Sequence, residues 1–511
     1  MCFTSSFSQI TFEKKLIFST DAAGSSIVQT SEGSFYICGR ILENKVFSRP
    51  FLGKTDGIGN IIWVEALDSL YSESGFDATS MISTSDGGVG ITTTFEFSNF
   101  LTQFSKFDKY GVLEWTSLFN GALGMSAVET VDSNYVLASC FLHNNSHSVI
   151  TKISHSGEIL WSKSLVGRDG VSGLVATSSG AVITQDGSVV IAGSDMGVKI
   201  SKISSSGHIL WLSYDSLHAD VKVSAMIKTH DQGFAICGGS QGDMIIVKFD
   251  SNGLLLWNKA IDLFGKEEAT GIAERANGDL IVSGTFSTND SLTTSNTVFI
   301  ATLNEMGDFH TVKLLKIPHT NSEGIAIIKT QNDGVAIVGS IVDTLNRKCV
   351  FFMRLDTALE ECYLENSLAS SRNIGSPGDR IFGEKAVESF RDTRFKVTIN
   401  SLGYKEINLC SIFSVAKSSE TTPTLAISPN PVHLDKTVLI HLNRGIPGSL
   451  YELRVTDLLG NILIKKTINQ EGGPMDFPLN VSRLAAGMYL VELLNLSNNN
   501  EIYHAKFVKE D

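Results

Sequence analysis

The chain has 511 residues, 42% of them hydrophobic and 19% charged, a composition of folded globular chains and not of disordered ones. Its 41 basic against 54 acidic residues give a net charge of −13; without a basic stripe to neutralise phosphates, nucleic acid and anionic membranes are excluded as general partners. No stretch approaches the roughly 18 apolar residues of a membrane-spanning helix, and 45 glycines against 9 prolines point to many short strands joined by tight turns.

Residues 1–10 lack the basic start and the apolar stretch of roughly 7–15 residues of a secretory signal, yet Ser6 and Ser8 stand at the small-residue spacing of a cleavage site. The segment reads as a possible signal-peptide remnant.

Residues 11–360 are organised by a pentapeptide that begins with glycine and ends with tryptophan: Gly59 to Trp63, Gly111 to Trp115, Gly157 to Trp161, Gly207 to Trp211 and Gly253 to Trp257. Successive tryptophans lie 52, 46, 50 and 46 residues apart, a period that belongs to propellers and solenoids. Ahead of each pentapeptide stand two further parts. One is a turn opening an apolar strand, as in Asp186-Gly-Ser-Val-Val-Ile-Ala-Gly193, of which the chain holds seven copies. Asp-Gly and Asn-Gly between apolar runs are strong hairpin signals, because the turn needs positive φ. The other is a strand ending in a polar turn, such as Ile200-Ser-Lys-Ile-Ser204. With a short segment before each hairpin, the repeat holds four antiparallel strands, the blade of a β-propeller. Seven hairpins predict seven blades. Copies six and seven have lost the tryptophan, and Phe12–Phe18 resembles the missing last strand; it is expected to close the ring and hide an edge.

Residues 361–422 form a less regular connector, with strands expected at Phe395–Ile399 and Ile407–Ile412. From 423 to 511 the period changes. Strands at Val438–Leu442, Tyr451–Val455, Ile462–Lys466, Met488–Leu493 and Tyr503–Val508 predict a small antiparallel, immunoglobulin-like sandwich. The fold class is therefore all-β throughout.

Cys38, Cys140 and Cys237 recur at one strand position, where a small buried residue packs. Cys362 and Cys410 are a disulfide candidate, with two free thiols as the alternative. The catalytic and metal signatures H-E-x-x-H, the phosphate loop, C-x-x-C and the calcium loop are missing from the sequence. No catalytic residue, metal ligand or cofactor is predicted; His143 and His147 read as solvated loop residues and the repeat aspartates as turn caps. The connections expected to vary most are Arg40–Pro50, Ala66–Asp77, Phe95–Gln103, Cys140–Ser148 and Thr285–Thr297. Those of the first two blades carry Phe47, Phe51, Tyr71, Phe76, Phe95, Phe97 and Phe100. Phe47, Tyr71, Phe76, Phe95, Phe97 and Phe100 are the candidate ligand-binding residues, either as an exposed platform for a sugar or protein or as a satellite core under long loops.

The C-terminal segment carries Ser428-Pro429-Asn430-Pro431, Val455-Thr-Asp457-Leu-Leu-Gly460, Leu484-Ala-Ala-Gly487-Met-Tyr489 and Lys506-Phe507-Val508-Lys509, in that order. In these motifs it resembles the type A C-terminal sorting domain of the Bacteroidetes type IX secretion system, and the repeats before it are similar to glycine/tryptophan propellers found in such cargo. The resemblance implies a partner, the type IX secretion machinery, and a protein secreted or held at the outer-membrane surface. Pro429, Asn430, Pro431, Gly460, Gly487, Tyr489, Lys506 and Lys509 are its sorting-motif residues. Two functional classes stay open. The first is a non-catalytic propeller that binds a glycan or protein. The second is a propeller-based polysaccharide-degrading enzyme, a glycosidase or lyase, whose carboxylates would converge at one mouth.

Overall fold

The computed structural model describes residues 11–359 (apart from 44–46, 69–75, 96–100, 121–122, 142–146, 166–174, 195–196, 216–220, 291–292, 316–320 and 344), 364–373 without 368, 398–401, 405–408, and 425–509 without 429–436, 446–449, 458–460, 470–472 and 497–501. Every regular element among them is a β-strand. The strands through residue 355 make seven antiparallel four-stranded units, called sheets 1 to 7 in chain order. They span 22–68, 76–120, 123–165, 175–215, 222–262, 266–315 and 321–355, and Phe12–Ile17 supplies the fourth strand of sheet 7. That strand pairs antiparallel with Lys348–Leu355, from Phe12↔Arg354 to Leu16↔Val350.

The first strands of neighbouring sheets pack on one another in a circuit, from Ala22–Gln29 against Phe76–Ser83 onward, until Asn321–Lys329 returns to Ala22–Gln29. Sheets 4 and 5 also share one parallel pairing, Ser179↔Ala225. Because a sheet lies on either side of it, a second strand such as Val189–Ser194 is buried on both faces and reads as an unbroken apolar run instead of alternating. Each first strand carries a register shift, between Gly24 and Ser26 in sheet 1 and between Gly324 and Ala326 in sheet 7. Such bulges raise the local twist.

The tryptophans occupy one register position. Trp63, Trp115, Trp161, Trp211 and Trp257 lie opposite Lys54, Lys106, Lys152, Lys202 and Lys248 of the third strands, and Phe12 lies opposite Arg354 in the same place of sheet 7. Each ring sits beneath the glycine turn of the next sheet. A methyl group added at Gly111 would stand 2.2 Å from Trp63, at Gly253 2.6 Å from Trp211, and at Gly59 2.6 Å from Phe12. These glycines also hold φ near +80° (Gly111 φ 85, Gly253 φ 77), a conformation that costs other residues roughly 1–2 kcal/mol. Trp115, Trp161 and Trp257 donate their Nε1–H to the carbonyls of His155, Ser205 and Glu305 in those turns, at 2.8, 3.3 and 3.1 Å. The pentapeptide is thus half of a contact whose other half lies one repeat on.

Two of the expected variable loops are extended ladders instead. The hairpin of sheet 1 stays paired to Glu43↔Phe47 and that of sheet 6 to Asp290↔Thr293. In sheet 6, hydrogen bonds between Ser287 and Asn296 and between Thr288 and Ser295 hold polar strands together where apolar alternation gives no signal.

The connector also contributes strands. Leu364–Ser367 pairs with the outer strand of sheet 6, Ser370–Asn373 with that of sheet 5, Thr398–Ser401 with Ile61–Asp68 of sheet 1, and Lys405–Asn408 with Phe12–Ile17 of sheet 7. A fifth strand on an outer edge occupies hydrogen-bonding groups that would otherwise invite another chain.

The C-terminal residues form two sheets over one core. Leu425–Ser428, Thr437–Gly445 and Gly473–Asn480 make the first; Ile462–Asn469, Leu450–Thr456, Gly487–Asn495 and Ile502–Lys509 make the second. Val438, Ile440, Leu442, Tyr451, Leu453, Val491, Tyr503 and Phe507 are buried between them.

Candidate functional site

Phe47, Phe76 and Phe95 lie on described strands, but their side chains fall outside the described residues, as do Tyr71, Phe97 and Phe100 entirely. The same holds for Cys362, Cys410, His143, and the side chains of His147 and Cys140. Cys38 and Cys237 are free and fully buried, and burial pushes the Cys38 thiol up to about 12.

The repeat aspartates are held by the fold. Asp86, Asp132, Asp186 and Asp231 pair with Lys106, Lys152, Lys202 and Lys248 at 2.7, 2.7, 2.7 and 2.9 Å. Each also accepts a bond from a turn threonine (Thr84, Thr130, Thr184 or Thr229). Burial alone would raise the Asp132 carboxyl, but bonds from Lys152, Thr130 and Asn134 outweigh it and hold it well below the usual carboxylate range. Lys202 and Thr184 do the same for Asp186. A cavity of about 190 Å³ between sheets 5 and 6 is lined by this chemistry: Asp231 and Lys248 are paired, and Glu274 accepts from the His230 backbone amide at 2.8 Å. The volume is below the roughly 300 Å³ at which small-molecule pockets begin.

In the C-terminal sheets the motif residues divide into two groups. Gly487 (φ 154) opens its strand; Tyr489 stacks on Phe507 at 5.4 Å and donates its hydroxyl to Ala485 O at 2.8 Å. Lys509 donates to the carbonyls of Val481 and Ser482 at 3.1 and 3.4 Å and to that of Leu484. These three residues tie the last strand to the turn before Gly487. Lys506 points elsewhere. Its ammonium lies 2.8 Å from Glu65 Oε1 and 4.2 Å from the Trp63 ring centre, and both charged side chains are 7% exposed. Burial raises the Glu65 carboxyl, and Lys506 opposes that rise. Leu490 packs beside them with Tyr36, Cys38, Leu52 and Trp63. One sorting-motif lysine therefore seats the C-terminal sheets on the outer strand of sheet 1, a contact between residues 441 positions apart that no local pattern announces. Pro429, Asn430, Pro431 and Gly460 fall outside the described residues.

Among the described residues, carboxylates converge at one further place, the crossover from sheet 5 to sheet 6, where Asp243, Asp262 and Glu267 bring oxygens within 4.8 Å of one another.

Residues 426–510 match the family model described as "Secretion system C-terminal sorting domain". The match supports cargo of the type IX secretion system and a secreted or cell-surface location. No curated protein matches the chain. Similar solved structures include a protein from Lactobacillus plantarum (13% identity over 71% of this chain and 99% of that one, TM-score 0.42). Another is a Dyadobacter fermentans protein of unknown function (9%, 67% and 98%, TM-score 0.40). A third is an exo-β-1,3-galactanase from Phanerochaete chrysosporium (12%, 80% and 89%, TM-score 0.30). Likenesses this remote carry nothing about activity.

Proposed function

We propose that the chain is an exported, seven-bladed β-propeller that binds a glycan or protein at the bacterial surface, delivered there by its C-terminal domain. The sorting-domain match over residues 426–510 carries the export half of this reading. The ring is supported by the circuit of first strands, by Phe12 standing in the tryptophan register of sheet 7, and by contacts across that junction. There Gln331 Nε2 donates to Thr30 O and Ser31 O, both at 3.0 Å, and Arg354 donates to Gly57 O at 2.8 Å. Binding rather than catalysis is favoured by the repeat carboxylates being engaged as turn caps. Ligand contact is assigned to the face of the between-sheet connections, where function concentrates on a rigid scaffold, with Phe47, Tyr71, Phe76, Phe95, Phe97 and Phe100 as its aromatic candidates.

The test uses a host that possesses the secretion machinery. The full chain should reach the surface or medium, and a chain lacking residues 426–511 should stay in the cell envelope with its repeat sheets still folded, although sheet 1 loses the Lys506 partner of Glu65. Normal surface display of the truncated chain would refute the export role. Ligand is then sought with a glycan and surface-protein array, on which Tyr71→Ala and Phe97→Ala should weaken binding at unchanged melting temperature.

A further inference from the structure

Sheet 5 hands over to sheet 6 through a tight crossover of residues 263–265, between Leu255–Asp262 and Lys266–Glu274. The chain there is held in an unusual shape. Phe264 takes φ 67 while 68% exposed, and a methyl group at Gly265 would stand 2.5 Å from the Phe286 ring. The neighbouring hairpin of sheet 5 turns through Gln241 (φ 55) and Gly242 (φ 97), and Gly242 O accepts the Glu267 amide at 2.6 Å. Two backbone segments from different sheets thus meet at one point.

Three carboxylates meet at the same point. Asp243 begins the third strand of sheet 5, Asp262 ends its fourth, and Glu267 lies in the first strand of sheet 6. Like charges so close are destabilising unless a cation or a proton lies among them. Glu267 is 3% exposed, and its Oε2 is buried with no hydrogen-bond partner, while the crossover amides of Gly265 (3.1 Å from Oε1) and Leu263 face the carboxyl. A buried carboxylate oxygen without a partner carries a desolvation cost that a bound ion would remove. The nearby Lys222 is paired with the adjacent Glu268. Burial, and then the charge of Asp262, push the Glu267 carboxyl up to about 7.

We propose that Asp243, Asp262 and Glu267 form a calcium site that staples sheet 5 to sheet 6. An all-oxygen, carboxylate-rich set suits a hard cation. Calcium accepts six to eight oxygens in a flexible shell at about 2.3–2.6 Å, whereas magnesium demands a near-ideal octahedron at about 2.0–2.1 Å and gives up its waters reluctantly; three side-chain oxygens within 4.8 Å of one another, drawn from three strands, suit the more adaptable ion. The three ligands are separated by 19 and 5 residues in the sequence and match no linear calcium motif. The site rests on sheets 5 and 6 alone, whatever the route of export.

The test titrates the full chain with calcium chloride, and separately with magnesium chloride, in chelator-stripped buffer. One calcium per chain should bind, with a dissociation constant of about 10⁻⁴–10⁻³ M as in extracellular modules. Calcium at ten times that constant should raise the melting temperature by roughly 1–3 °C, and magnesium should bind at least tenfold more weakly. Glu267→Gln should weaken calcium binding at least tenfold. Because it also removes a repelling charge, its metal-free form should melt no lower than the wild type, which separates lost ligation from misfolding. Asp308→Asn, outside the cluster, should leave calcium affinity unchanged. The proposal is overturned by an absence of binding heat at ten times the expected constant, by wild-type affinity in Glu267→Gln, or by equal affinity for magnesium.

Discussion

Sheets 2 to 5 and sheet 6 build the same junction from different residues. In sheets 2 to 5 the hairpin turn carries an aspartate, the third strand a lysine that binds it, and the fourth strand a tryptophan under the glycine of the following turn. Sheet 6 has Asn277, Thr302 and Thr311 at these three places, the last two being cross-strand partners. The turn that follows it changes to match, because Leu359 stands where the other turns have glycine. Leu359 keeps the left-handed conformation (φ 54), is buried in the core between sheets 6 and 7, and has its carbonyl capped by Lys313 at 3.0 Å. At the corresponding positions a large ring and a glycine give way to a small side chain and a leucine, an exchange of residue sizes that keeps their summed side-chain volume similar, as close-packed interiors demand. Position-by-position reading records two lost motifs here; taken together they are one exchanged pair.

Trp63→Ala tests the ring half of this contrast and should have the largest effect. The indole is 2% exposed, so its loss should cost about 3–5 kcal/mol in chemical denaturation. Thr311→Ala, at the same register position but exposed, should stay within about 0.5 kcal/mol.

Lys506→Ala sharpens the contrast between Trp63 and the half-buried Trp161. Removing one partner of a buried ion pair costs about 3 kcal/mol. The loss should appear as faster protease cleavage between the C-terminal sheets and sheet 1, while sheets 2 to 7 melt as before. Unchanged cleavage would mean that Leu490 and its neighbours hold the seat alone.

The aspartate–lysine pairs give a smaller, pH-dependent effect. Asp132 and Asp186 have folded-state values depressed below their unfolded value of about 3.9. The unfolded chain therefore binds more protons there, so the pairs' stabilisation is present above about pH 4 and is lost as pH falls below it. Both carboxylates are about half exposed, so each is worth less than about 1 kcal/mol. The double variant Asp132→Asn with Asp186→Asn should lower stability slightly at pH 7 and flatten its decline between roughly pH 4 and 2. An acid limb as steep as the wild type's would place the acid sensitivity elsewhere.

The repeat, its hairpin turns and the C-terminal motifs were legible because each is local: a glycine that needs positive φ, an apolar run, a spacing near 50 residues. What the glycine and tryptophan do together was not, since Trp63 meets Gly111 and not its own Gly59, and only the packing of sheets reveals the partner. Of the four connector strands, Thr398–Ser401 and Lys405–Asn408 overlap the expected Phe395–Ile399 and Ile407–Ile412 by two residues each, with shifted bounds. Leu364–Ser367 and Ser370–Asn373 escaped for a different reason, being four residues long and mostly polar, too short for a periodic side-chain signal. Glu267 reads as one acid among many until the crossover folds it against Asp243 and Asp262. Lys506 reads as a terminal sorting-motif lysine, with nothing local to show that its ammonium lies on Glu65.

The exchange between ring and turn is tested most directly by a double-mutant cycle that copies the sheet 6 solution into the junction of sheets 2 and 3. Gly157→Leu alone drives a side chain into Trp115, since even a methyl group there stands 2.8 Å from the indole. Trp115→Thr alone leaves a void beneath the glycine and a His155 carbonyl without its donor. If the two positions are one packing unit, the combined variant should be more stable than the sum of the single losses predicts, by about 1–3 kcal/mol. Losses that add to within about 0.5 kcal/mol would contradict the account, leaving the tryptophan and the glycine as independent features of their own sheets.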